Sequence, residues 1–283
     1  MHTEHHIKAV QKIVADWKRQ GLSVGFVPTM GNLHAGHLSL VAKARQHADK
    51  VVVSIFVNPL QFGPGEDFDS YPRTLDQDAI ALAEAGVDLL FAPSINEMYP
   101  HGREGQTQVS VPDIGDILEG ESRPGFFAGV ATVVNKLFHC VPADLAVFGE
   151  KDFQQLMVIR RMVADLNLSI EIVGAAIVRE DNGLAMSSRN GYLTAEQKEQ
   201  AAVLYTTLCL FREWVESGQR NYPALEQKAA ESLAAAGFKP DYVSLRSADD
   251  LSPASDNSVT LVILAAASLG NTRLIDNISF KIQ

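Results

Sequence analysis

Apolar residues recur along this chain at two periods. Ile7, Val10, Val14 and Trp17 fall three or four apart, as on one face of a helix, and Gly21 closes that helix. Leu22–Val27 then reads as a buried strand and Leu38–Ala48 as a helix. Val51–Val57 is the clearest strand, β-branched almost throughout. Thr74 with Gln77 reads as a capping box for a helix that runs to Ala85 and stops at Gly86. Val87–Ala92 follows as a strand. Past a stretch punctuated by Pro and Gly, Gly129–Val141 reads as helix and Asp144–Phe148 as strand. Asp152 can cap a helix through Leu166, and a strand follows at Ile170–Val178.

Nearly continuous apolar strands separated by helices predict a parallel sheet covered on both faces, a doubly wound, Rossmann-like α/β domain. Beyond about residue 180 the pattern changes. Asn190-Gly191 marks a turn, and Thr194 with Gln197 is a second capping box, opening an Ala-rich helix. A helix over Ala224–Ala236 ends at Gly237, and three candidate strands follow: Tyr242–Arg246, Val259–Ala266 and Arg273–Asp276. The expected organisation is a Rossmann-like N-terminal domain over 1–178 and a smaller α+β C-terminal domain over 179–283. No internal repeat is visible.

Composition narrows the class. The 283 residues are 46% apolar and 20% charged, which excludes collagen-like and disordered chains. Lys and Arg number 24 against 34 Asp and Glu, a net charge of −10 without a basic run. Nucleic acid and anionic membrane are therefore poor partners, since both demand displaced counterions. The longest apolar runs, Val51–Val57 and Leu261–Ala267, fall far short of the ~20 residues that span a bilayer. Glu4 and the histidines at 2, 5 and 6 do not make a signal pattern, and Cys140 and Cys209 read as lone buried thiols. A cytoplasmic protein is expected.

In doubly wound sheets ligands bind beyond the carboxyl ends of the strands, so the loops after strands carry the chemistry. The first such loop runs Pro28-Thr29-Met30-Gly31-Asn32-Leu33-His34-Ala35-Gly36-His37. It opens a helix at about Gly36, and a helix N-terminus is a ready anion site. His34 and His37, three apart, can point at one phosphate. Two surface histidines on a turn would read the same way. Zinc would need further ligands, and no H-E-x-x-H or Cys pair accompanies these two. The second loop is Gly149-Glu150-Lys151-Asp152, where a lysine beside a helix start suits a phosphate oxygen or simply caps the helix. Gln154 and Gln155 follow; as neighbours, only one of them can share the cleft. The third is Met186-Ser187-Ser188-Arg189-Asn190: two hydroxyls and a guanidinium that could wrap a triphosphate, or a polar linker.

Taken in order, His-x-Gly-His, Lys-Asp and Ser-Ser-Arg resemble the nucleotidyltransferase superfamily of class I aminoacyl-tRNA synthetases, with its HIGH-like and KMSKS-like motifs. Whole phrases narrow the resemblance. Pro28–His37, Phe56–Phe62, Tyr71–Thr74, Phe148–Gln155, Ser187–Leu193 and the closing Thr272–Asn277 are similar to the pantothenate synthetase (pantoate–β-alanine ligase) family over essentially the whole chain.

That resemblance implies a two-step amide synthesis. Pantoate carboxylate attacks the α-phosphorus of ATP to give pantoyl adenylate and pyrophosphate; β-alanine then attacks the acyl carbon, releasing pantothenate and AMP. It implies His34 and His37 on the phosphates, with His37 the favoured proton donor, Lys151 bridging the α-phosphate and the leaving group, and Ser187, Ser188 and Arg189 closing over the β- and γ-phosphates. The ATP site would comprise Met30, Gly31, Asn32, Leu33, His34, Ala35, Gly36 and His37, then Gly149, Glu150, Lys151 and Asp152, then Val178, Met186, Ser187, Ser188 and Arg189. Gln61 and Gln155 would bind pantoate, Gln61 also β-alanine, and Met30 N–H the carboxylate under activation. The C-terminal domain would act as lid, excluding water from a hydrolysable adenylate. Mg²⁺ would ride on the ATP phosphates with few or no direct protein ligands, and the resemblance implies a homodimer. One departure stands out: after Arg123-Pro124-Gly125 the family often has histidine, and here Phe126 stands there. Asp76 and Asp78 read as ordinary first-turn helix acids. The rival reading is a simple nucleotidyltransferase acting on a phosphorylated small molecule; the Gln61 and Gln155 pair favours a neutral hydroxyacid instead. A nucleotide sensor without catalysis would have no need of the leaving-group residues.

Overall fold

The computed structural model describes residues 1–102, 105–255 and 258–282. The chain forms two units, Met1–Glu150 with Gln155–Ala176, and Lys151–Gln154 with Ile177–Gln283.

In the first unit the elements follow in order as β1 (His2–Glu4), α1 (Ile7–Arg19), β2 (Val24–Thr29), α2 (Ala35–His47), β3 (Lys50–Ile55), α3 (Leu75–Glu84) and β4 (Leu89–Phe91). Two short turns of helix come next, α4 (Ile95–Met98) and α5 (Glu119–Ser122), then α6 (Phe126–Cys140), β5 (Leu145–Gly149), α7 (Phe153–Asp165) and β6 (Glu171–Ala175). The six strands are all parallel, in the order β1-β4-β3-β2-β5-β6. Alternate side chains enter opposite cores, because successive strand residues point to opposite faces. Phe26 and Val52 join α1 and α6 residues on one face; Val27, Val51 and Val53 join Leu40, Val41 and Leu82 of α2 and α3 on the other. Each such burial stabilises by about 1.5–3 kcal/mol, which is why the apolar runs were readable as strands. The order places the switch point between β2 and β5.

The second unit packs α8 (Ala195–Ala201), α9 (Val203–Glu216) and α10 (Tyr222–Ala235) with an antiparallel sheet, β7 (Lys239–Ser247), β8 (Thr260–Leu269) and β9 (Thr272–Lys281), in the order β7-β8-β9. The Thr194–Gln197 capping box is present, with its two bonds at 3.2 and 3.0 Å.

Three local expectations are corrected, and β1 is a strand that the apolar pattern does not predict. Thr74 makes no cap with Gln77; its hydroxyl donates instead to Asp78 Oδ2 at 3.1 Å, because that buried carboxylate already sits over the first turn of α3. Strand β1 lacks an apolar pattern, since it is an edge strand joined to β4 through its backbone. Val178 lies beyond β6, in a hairpin where Met186 N–H donates to its carbonyl at 2.9 Å. Cys140 is buried, and burial pushes its thiol up to about 11; Cys209 is only partly buried. No helix among the described residues is long and apolar enough to cross a membrane.

Candidate active site

The loop after β2 is built from both ends. Thr29 Oγ1 donates to the Ser54 carbonyl at 2.8 Å and receives Gly31 N–H at 3.3 Å. Gly31 has φ +84°, and a Cβ there would press on Asp78 Oδ2 and Ile55, so glycine is required. Asp78, only 4% exposed, accepts the Asn32 and Leu33 N–H groups, each at 2.9 Å. The sequence pattern placed Asp78 among ordinary first-turn acids. In the fold it holds the histidine loop from 46 residues away.

The two histidines cap α2 reciprocally. His34, the N-cap residue, accepts Gly36 N–H at Nδ1, 3.1 Å away; His37 Nδ1 accepts His34 N–H at 3.4 Å. Their ring centroids are 4.1 Å apart. A neutral imidazole whose Nδ1 accepts must carry its proton on Nε2. Backbone geometry therefore sets the tautomer, and each ring carries its N–H at Nε2, beside the positive end of α2. That combination suits a polyanion.

Gln61 follows β3 in a 3-10 turn, Pro59–Gln61, capped by Asn58. Asn58 is 1% exposed; its Nδ2 donates to Gln61 Oε1 at 3.1 Å, while its Oδ1 accepts the Tyr99 hydroxyl at 2.8 Å. With its oxygen engaged, Gln61 has its amide N–H groups to offer a ligand. Gly129 of α6 lets this turn come close, because a Cβ there would collide with the Leu60 carbonyl. Arg123 Nη2 donates to the Gln61 carbonyl at 2.9 Å while its Nε pairs with Glu66 at 2.8 Å. Phe126 lies under the same guanidinium, 3.8 Å from ring centroid to Cζ. A cation–π contact thus joins Phe126 to Arg123. Asn58 and Arg123 stand in phrases of the family resemblance without a role of their own, and Tyr99 carries no signal in the sequence. An Asn directly before Pro, the signature of a capped turn, was the one available signal.

Gly149 ends β5, and Glu150–Asp152 form a 3-10 turn that leads into α7. Lys151 is half-buried, Asp152 exposed, Gln154 buried and Gln155 half-buried. Within the first unit, Met30–His34, Gln61 and Gly149-Glu150 thus follow β2, β3 and β5 at the carboxyl edge of the sheet, with β2 and β5 flanking the switch point. In the second unit, Ser187 Oγ accepts Arg189 N–H at 3.2 Å and caps the turn Ser188–Tyr192. Asn190 anchors that turn through bonds to Glu180 at 3.0 Å and the Ala185 carbonyl at 3.1 Å. Val178 and Met186 pair across the hairpin that precedes it. Among the described residues no group of three or more His, Cys, Asp or Glu is placed to hold a metal ion.

A parallel sheet with ligand-ready loops at its switch point makes this a Rossmann-like α/β protein. The family model described as Pantoate-beta-alanine ligase matches residues 2–279. The chain is 57% identical to the pantothenate synthetase of Stutzerimonas stutzeri over 278 residues, 98% of this chain and 97% of that one. It is 56% identical to the pantothenate synthetase of Pseudomonas putida over 283 residues, covering 100% and 99%. Among solved structures, the pantothenate synthetase of Thermus thermophilus superposes with TM-score 0.91 at 47% identity, over 98% and 99% of the two chains. The pantoate-beta-alanine ligase of Francisella tularensis, solved with beta-gamma ATP and beta-alanine, gives 0.83 at 36%, over 98% and 97%. The chain belongs to the pantoate-beta-alanine ligase family, a family of enzymes.

Proposed function

We propose that the protein condenses pantoate with β-alanine at the expense of ATP, through pantoyl adenylate, releasing pyrophosphate, AMP and pantothenate. The observation that carries this reading is the reciprocal His34–His37 cap, in a chain that matches the ligase family over residues 2–279.

The protein has little covalent chemistry to do; it positions two anions in line and offsets charge on the departing pyrophosphate. His34 and His37 donate from Nε2 to ATP phosphates, with His37 placing a proton as charge builds. Met30, Gly31, Asn32, Leu33, Ala35 and Gly36 line the same phosphates, with the N–H groups of Gly31, Asn32, Leu33 and Gly36 spent on shaping the loop, and Met30 N–H receives the pantoate carboxylate. Lys151 neutralises the α-phosphate and leaving-group oxygens, and Ser187, Ser188 and Arg189 hold the β- and γ-phosphates. The backbone at Gly149, Asp152 and Val178 holds adenosine, and Glu150 and Met186 complete the ATP site. Gln61 and Gln155 grip pantoate, Gln61 also meeting β-alanine. Mg²⁺, when bound, would be held by the ATP phosphates rather than by protein ligands and would offset their charge. Residues 1–178 serve as the nucleotide and pantoate domain and 179–283 as the lid, in a cytoplasmic homodimer.

The test is product analysis with ATP, magnesium and pantoate, with and without β-alanine. Pyrophosphate should form with pantoate alone, and AMP plus pantothenate once β-alanine is added. Pyrophosphate released only with a phosphorylated co-substrate would instead make the protein a nucleotidyltransferase.

Gln155→Ala should remove a hydrogen bond to a charged ligand, worth about 1.5–3 kcal/mol, or roughly 10- to 100-fold. Steady-state kinetics should register this in the KM for pantoate and leave the KM for ATP nearly unchanged. Equal losses in both would move Gln155 out of the pantoate pocket.

A further inference from the structure

The closing phrase Thr272–Asn277 is part of the family resemblance, yet none of its residues has a role in the chemistry above. Its geometry supplies one. Along β9, Leu274, Ile278 and Phe280 point into the core of the second unit at period two, and Asp276 falls in the same series. An ionisable residue in an apolar row is costly unless fully bonded. Asp276, 4% exposed, is bonded on both oxygens: Arg179 donates Nη1 to Oδ2 at 2.6 Å and Nη2 to Oδ1 at 3.0 Å. Arg179 is fixed in turn by the Gly183 carbonyl at 3.1 Å and by the Tyr205 ring, 3.7 Å from its Cζ. Asp276 Oδ1 also accepts the N–H of Asn277 at 2.8 Å. Asn277, likewise 4% exposed, sends Nδ2 to the carbonyl oxygen of Lys151, 2.8 Å away and 126 residues earlier in the chain.

We propose that Asn277, locked by the Arg179–Asp276 pair, is a positioning residue for Lys151. The need for one is physical. Lys151 sits in a 3-10 turn of three residues, a geometry with weaker hydrogen bonds than an α-helix. A side chain that must meet a developing charge cannot tolerate about 1 Å of drift, which costs on the order of 10²-fold in rate. The Asn277 amide pins the backbone from which Lys151 extends. Burial pushes the Asp276 carboxyl up, and the Arg179 fork opposes it.

This inference rests on the role given to Lys151 under the proposed function, and the experiment separates the two. Pyrophosphate formation from ATP and pantoate is measured for the full chain, Lys151→Ala, Asn277→Asp and the double variant. Asn277→Asp keeps the side-chain shape but puts a carboxyl in place of the amide donor; Asn277→Leu, of similar size, removes the donor without adding a charge and is measured beside it. Each Asn277 variant should lose about 10-fold in kcat, a fraction of the 10²-fold drift cost, with KM for ATP and pantoate nearly constant. In the Lys151→Ala background the same change should cost nothing more. Equal fold-losses in both backgrounds, or no loss in either, would overturn the positioning role. Near-normal rates for Lys151→Ala alone would sink the assignment of Lys151, and this inference with it.

Discussion

Lys151→Ala is expected to slow adenylation of pantoate by about 10²-fold or more, the typical cost of removing one preorganised partner of a transition-state charge. Negative charge grows on the bridging oxygen only as pyrophosphate departs. The lysine therefore contributes little to binding of the ground state, and kcat should fall while KM for ATP changes little. Single-turnover pyrophosphate release checks this directly. The second half-reaction, β-alanine attacking a supplied pantoyl adenylate, should be slowed much less, since no polyphosphate leaves in that step. A uniform loss in both halves would mean that Lys151 supports the site as a whole. Turnover near that of the parent enzyme would remove it from the reaction.

Asp78→Asn is expected to be nearly as damaging, although Asp78 touches no reacting atom in the proposed mechanism. Its two oxygens each accept a backbone N–H of the loop, from Asn32 and Leu33. An asparagine can accept only one of them and turns an NH2 toward the other. A buried donor left without an acceptor costs about 1–3 kcal/mol. The loop would relax to avoid it, and His34 and His37 would move with the loop. Pyrophosphate formation should fall on the order of 10- to 100-fold, with the circular dichroism spectrum retained. Thr74→Val, which removes only the hydroxyl that donates to Asp78, should produce a smaller loss of the same kind. Parent-level activity in Asp78→Asn would mean that the loop keeps its shape without this carboxylate.

These two residues mark how far the sequence can be read. Lys151 stands out as a candidate in the sequence because lysine, glycine and a helix start coincide within a few positions after a strand, and the phosphate role proposed for it comes from the resemblance. Asp78 looked like any acid in the first turn of a helix, because its partners are far away along the chain. Gln155 and Gln154 were an undivided pair by spacing alone; burial separates them, with Gln154 inside and Gln155 partly open. Phe126 read as a lost polar contact, and only the stacking on Arg123 gives the ring a place.

Two properties of the chain by itself determined the architecture. Period-two and period-3.6 burial of apolar side chains is a local pattern, so Val51–Val57 and the Thr194–Gln197 capping box announce their elements without reference to anything distant. The motif phrases likewise lie in contiguous loops, and they carry the family. The polar network was decided by the tertiary structure alone. Which nitrogen of His34 and His37 keeps its proton depends on backbone N–H groups brought into line by the start of α2. Which carboxylate steadies that loop, and which amide pins Lys151, depends on packing that brings together residues 46 and 126 positions apart. A hydrogen bond needs its partners within about 3 Å and aligned, and no periodicity along a chain encodes such a meeting.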